Sequence, residues 1–196
     1  MKKYILLTAT ALLASCGSPQ NDTAPAATDS ASADMPMEAP APAATPGAST
    51  NAADYVAKAG AGDMWEIESS RALLAKSKRD DVKAFAQMMI DNHGKSTEKV
   101  KAAAGAASID VAPPKLAPDQ QRMLDEIKNA DANTIDAIYL RHQMAAHDAA
   151  LALHRAYATN GDTESLKKAA SEIAPIVEAH IAELRKLDRS EAAGAR

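Results

Sequence analysis

From position 54 onward, apolar residues return every three or four positions, the spacing that lines one side of an α-helix. The periodicity predicts four long helices, over 54–77, 80–104, 131–159 and 162–187, and a short one over 118–129. Asp80, Asp131 and Asp162 stand where N-caps belong, Pro118 suits a first helical turn, and Gly161 closes the third long helix. No alternating run of β-branched residues appears, so the predicted fold class is all-α. A few residues join the first and second helices, and a few join the third and fourth, which makes two antiparallel hairpins. Between the hairpins lies a long stretch holding Gly105, Pro113, Pro114 and the short helix. Two hairpins with one long middle connection form the ferritin-like plan of four-helix bundle, here with a short extra helix in that connection. An up-down bundle with an inserted excursion is the alternative.

Polar residues interrupt the apolar faces at a few places. In the first helix Tyr55, Ala59, Ser69, Ser70 and Leu73 share a face with Glu66 at its middle, while Glu68 points away. His93 is central to the stripe of Val82, Phe85, Ala86, Met89 and Val100. His180 holds the same place among Leu166, Ala170, Ile173, Val177 and Leu184. The third long helix carries two stripes. Ile135, Tyr139, Ala146, Ala149 and Leu153 place His142 inward, whereas Leu140, Met144 and Leu151 flank His147. Depth counted from the hairpin turns at about 1.5 Å per residue sets Glu66, His93 and His147 at one level, with His142 and His180 about 7 Å away. Phase favours His142 and depth favours His147. His154 falls at the edge of the stripe, where it would reach water.

The first 53 residues have a different character. Lys2 and Lys3, then the apolar run from Tyr4 to Leu13, read as an export leader over 1–15, too short to span a bilayer. Leu13-Ala14-Ser15-Cys16 resembles the bacterial lipobox, which implies cleavage before Cys16 and its acylation. A second acyl chain is what makes such an anchor stable. Gly17 in place of Asp favours the outer membrane. Residues 17–53 hold six of the ten prolines and no Leu, Ile, Val, Phe, Tyr or Trp. They cannot bury enough apolar surface to offset their conformational entropy, so 16–53 reads as a disordered tether reaching roughly 35 Å. The helical domain occupies 54–188, and 189–196 reads as a disordered tail.

Composition narrows the chemistry. Net charge is −4, and Asp22, Asp29, Asp34 and Glu38 of the tether hold four of the acidic residues. Basic residues elsewhere are dispersed and aromatics are few, which argues against a nucleic-acid surface. Cys16 is the sole cysteine, so the domain has no disulfide, no thiolate ligand and no cysteine nucleophile. No glycine-rich nucleophile elbow is present, and catalysis is not expected. Buried Glu and His in a bundle commonly satisfy one another and set helix register. Imidazoles also suit copper, zinc, iron and nickel, and thioethers at Met88, Met89 or Met144 favour copper. Pro175 lies five residues before His180 and removes a helical hydrogen bond there.

Taken together, Glu66-Ile67-Glu68, Val82-Lys83-Ala84-Phe85-Ala86, Met89-Ile90-Asp91-Asn92-His93, Tyr139-Leu140 before His147, and Pro175 before His180 resemble a bacterial domain-of-unknown-function family, family 4142, over about residues 53–188. The resemblance implies a ferritin-like bundle and an outer-membrane lipoprotein, and it favours His147 over His142. It implies no established activity. True di-iron relatives of that fold carry Glu-x-x-His pairs, whereas Ile90 and Val177 stand three residues before His93 and His180 here. The expected function is thus a non-catalytic module on the periplasmic side of the outer membrane. The membrane is its partner through the lipid anchor, and an envelope protein is a second partner, in support or stress. The competing expectation is a protein binding one transition-metal ion through Glu66, His93, His147 and His180, with Glu68 and His142 as alternates.

Overall fold

The computed structural model describes residues 50–194; the leader, Cys16 and most of the tether lie outside them. Five helices follow in order: α1 (Ala52–Leu74), α2 (Asp80–Ala106), α3 (Pro118–Asn129), α4 (Ile135–Asn160) and α5 (Glu164–Gly194). Among the described residues there is no strand. The long helices are α1, α2, α4 and α5, and α3 is the short helix of the connection.

None of the three predicted caps is the N-cap residue of its helix. Arg79 is the N-cap of α2, and Asp80 is the first helical residue. Asp162 accepts hydrogen bonds from Tyr157 Oη at 2.9 Å, Thr163 Oγ1 at 3.0 Å and the Ala52 amide at 3.3 Å. It therefore ties the first turn of α1 to the turn between α4 and α5. Asp131 accepts from the amides of Asn133 and Thr134 at 2.8 and 3.1 Å and shapes the turn before α4. The helix itself begins at Ile135, after Thr134. Asn51 caps α1 by accepting from the Asp54 amide at 3.1 Å, which starts the helix two residues before the expected 54. α5 continues to Gly194, beyond the expected 187, because 188–193 hold neither Gly nor Pro to stop it.

Helix α1 packs on α2, and α4 on α5; α2 also meets α5, and α1 meets α4. The short α3 lies against α1 and α4, held by Trp65, whose Nε1 donates to the Gln120 carbonyl at 2.9 Å. Two apolar clusters fill the interior. One gathers Leu73, Val82, Phe85, Met89, Ile135, Tyr139 and Leu184; the other gathers Tyr55, Val100, Tyr157, Leu166, Ile173 and Val177. Along every long helix the residues between the two clusters are polar and buried: Asp63 and Glu66, His93, Gln143 and His147, and His180. A polar layer thus crosses the middle of the core. Layers of this kind persist only when their groups are mutually satisfied or hold a ligand. Among the described residues no helix is long and apolar enough to cross a membrane.

Candidate metal site

His93 of α2, His147 of α4 and His180 of α5 converge in this layer, their ligand-capable nitrogens all within 4.8 Å of one another. The ring centroids lie 5.3–5.7 Å apart. His147 Nε2 and His180 Nδ1 are 3.2 Å apart. Two imidazole nitrogens on one tetrahedral metal ion with bonds near 2.0–2.1 Å are separated by about 3.3 Å, so this pair already has the spacing of two ligands. Phe85 closes the layer on one side, its ring 6.4 and 6.5 Å from those of His147 and His180.

Each imidazole is held through its other nitrogen. His93 Nδ1 donates to Asp63 Oδ1 at 2.8 Å, and Thr97 Oγ1 donates to Asp63 Oδ2 at 3.0 Å. His147 Nδ1 donates to the Gln143 carbonyl at 2.9 Å, one helical turn back. His180 Nε2 is 3.0 Å from Asn92 Nδ2. Acceptors such as Asp63 and the Gln143 carbonyl orient a metal-binding histidine and raise its basicity. Among the described residues, His93 Nε2 has no hydrogen-bond partner although it is buried. An interior donor or acceptor left in that state costs stability unless something else occupies the space beside it.

The electrostatics keep two of the three rings neutral. Burial foremost, with the charges of His93 and His180, brings the pKa of His147 down to about 3. Burial and the charge of His93 bring His180 down to about 4. For His93, burial pulls downward, but the hydrogen bond to Asp63 and the charges of Glu66 and Asp63 outweigh it, and the net shift is upward. Neutral imidazole is the form that ligates a metal.

Glu66 stands behind His147 and is not part of the three-nitrogen cluster. Its Oε1 is 3.4 Å from His147 Nδ1, the nitrogen already donating to Gln143, and its Oε2 has no partner among the described residues. Burial, opposed by His93 and by a hydrogen bond from Gln143, raises its pKa to about 7. The two alternates lie elsewhere. His142 turns away from the core and pairs with Glu126 of α3, Nε2 to Oε2 2.7 Å. The stripe that placed it inward fails because Ala149, counted in that stripe, is exposed and α3 covers the His142 side of α4. Glu68 pairs with Arg71 at the surface at 2.8 Å. His154, expected at the water edge, is 4% exposed, with Nδ1 3.0 Å from Tyr55 Oη.

Asp63 and Gln143 were not singled out in the sequence, and Asn92 entered only as a member of the Met89–His93 motif. Asp63 had a signal, since it lies three residues before Glu66 and shares its side of the helix. Nothing beyond that motif marked Asn92, because its partner His180 is 88 positions away, and Gln143 acts through its backbone carbonyl, which its residue type does not mark. What the arrangement offers is three imidazoles around one point. Asp63 is taken up by His93 and Thr97, and Glu66 stands outside the three-nitrogen cluster, so the set suits a single ion.

Two solved structures are similar in fold. A DUF305 fragment from Deinococcus radiodurans aligns with 74% of this chain and 99% of its own at TM-score 0.62 and 15% identity. A DUF305 protein from Streptomyces coelicolor covers 69% of this chain and 89% of its own at TM-score 0.59 and 13% identity. At such identities the likeness concerns the fold alone. No curated protein matches the sequence. The family described as "Domain of unknown function (DUF4142)" matches residues 37–187, across the buried polar layer and all but the last turns of α5, and this chain belongs to that family.

Proposed function

We propose that this protein is a lipid-anchored periplasmic protein that binds one transition-metal ion through His93, His147 and His180. The observation that carries the reading is the convergence of three buried imidazole nitrogens within 4.8 Å. Each ring is held from outside by Asp63, the Gln143 carbonyl or Asn92. Three nitrogen ligands leave a coordination position open, and Glu66, 3.4 Å from His147 and with an unpartnered Oε2, is a buried carboxylate beside the site. The neighbour pattern α1–α2–α5–α4, with the long α3-bearing connection crossing between hairpins, supports a ferritin-like bundle as the scaffold. The leader and Cys16 support anchoring at the periplasmic face of the outer membrane.

The test is metal content by plasma mass spectrometry on the intact chain in detergent, beside a His93→Ala, His180→Ala double variant that retains its helical circular dichroism. Near-stoichiometric metal in the parent, lost in the variant, is the expected result. A parent that stays metal-free after exposure to copper, zinc and iron sinks the reading. It would leave the histidines as a structural layer and the domain as an envelope interaction module.

A further inference from the structure

We propose that Asn92 sets the tautomer of His180 and that its side-chain amide turns over when the site takes up metal, an inference that rests on the metal reading above. The hydrogen-bond polarity of the layer requires it. Asn92 Nδ2 faces His180 Nε2 at 3.0 Å. An amide nitrogen only donates, so Nε2 accepts and the ring proton of His180 sits on Nδ1. That Nδ1 faces His147 Nε2 at 3.2 Å. His147 Nε2 is the accepting nitrogen, because His147 Nδ1 meets the Gln143 carbonyl, which only accepts. The chain therefore runs one way, from the Asn92 amide through His180 and His147 to the Gln143 carbonyl.

This polarity suits the metal-free protein and blocks the metal-bound one. His147, and His93 in its neutral form, carry their protons on the outer nitrogen, toward Gln143 and Asp63, and turn lone pairs inward. His180 carries its proton inward, at the nitrogen that must ligate. For His180 to ligate through Nδ1, that proton moves to Nε2, with no net proton gained or lost by the ring. Nε2–H then faces the Asn92 amide N–H, two donors in one hydrogen-bonding position. A half-turn of the carboxamide replaces Nδ2 by Oδ1, an acceptor, and restores the contact. Asn92 is suited to this because its side chain is only half-buried and lies with His180 in the wall of a groove between α2 and α5. The groove, shared with Phe85, Met88, Pro175 and Ile176, has a volume of about 790 Å³. Asn92 is thus a positioning residue that acts through His180.

The experiment is long-range ¹H–¹⁵N NMR of the histidine side chains in the intact, ¹⁵N-labelled chain, first with a chelator and then with zinc, in the wild type, Asn92→Asp and Asn92→Ala. In the metal-free wild type His180 should be protonated at Nδ1, and with zinc at Nε2 with Nδ1 bound. A carboxylate only accepts, so Asn92→Asp should hold His180 in the Nε2–H form before any zinc is added. Asn92→Ala, which loses the outer partner, should bind zinc about 10-fold more weakly. Zinc bound with the His180 proton on the same nitrogen in both states would overturn the proposal and leave the metal site standing. A wild type that retains no zinc would instead overturn the site itself, and this inference with it.

Discussion

Acid should destabilise the metal-free domain, and His154 allows the size of the effect to be worked out away from the three converging histidines. Its ring is buried between α1 and α4, hydrogen-bonded to Tyr55 and edge-on to it at a centroid distance of 5.8 Å. Burial, only partly opposed by Asp63 and assisted by His93, lowers its pKa from 6.5 to about 4. In the unfolded chain the same imidazole takes its proton near pH 6.5. The unfolded state therefore binds more protons between the two values, and stability is lost as pH falls from 6.5 through about 4. At about pH 5 this amounts to about 2 kcal/mol, a sizeable part of the 5–15 kcal/mol that holds a typical domain. His147 and His180 act in the same direction. Glu66 acts in the opposite one. With its pKa raised to about 7, it contributes stability that is fully present below about pH 4.5 and is lost as pH rises through 7.

The variant that isolates the effect is His154→Gln, whose amide can still pair with the Tyr55 hydroxyl but does not titrate. Urea unfolding followed by circular dichroism, with chelator present, would be measured at about pH 7.5 and about pH 5. The wild type should lose about 2 kcal/mol more than the variant between the two conditions. Parallel losses in both proteins would refute the reasoning, since they would mean that His154 accepts its proton within the fold without penalty.

Four further outcomes are expected. Met89 is wholly buried in the cluster with Phe85, Tyr139 and Leu184, so Met89→Ala should cost about 2–5 kcal/mol in urea unfolding. A Cβ on Gly161 would lie 2.6 Å from the Tyr157 carbonyl oxygen and from its ring, which is stacked on Tyr55 at 4.0 Å; Gly161→Ala should cost about 1–3 kcal/mol and lower the melting temperature. Asp63→Asn keeps the shape but removes the charge behind His93, and calorimetric titration should show metal affinity reduced about 10-fold while circular dichroism is unchanged. Cys16→Ser should move the protein from the membrane fraction to the soluble one, and retention on the membrane would count against the lipid anchor.

The sequence by itself determined the helices and most of their inward faces. Periodicity is a local property, and Val82, Phe85, Ala86, Met89 and His93 lie on one side of α2 whatever surrounds it. The same reasoning carried Glu66 and His180 to the interior, and Pro118 to the start of α3. Helix α4 was different, because it is covered by α1, α3 and α5 and so has no single apolar stripe. Whether His142 or His147 faced the layer depended on where α3 lay, and α3 brought Glu126 to His142. The tertiary structure alone also decided that Asp162 would hold the start of α1, that His154 would be buried, and that Asp63 and Asn92 would orient His93 and His180. The Asn92–His180 contact spans 88 positions of sequence, and the His147–His180 contact 33. Such contacts depend on how far each helix slides and turns against its neighbours, which is set by the packing of the whole core and not by the period of any one helix.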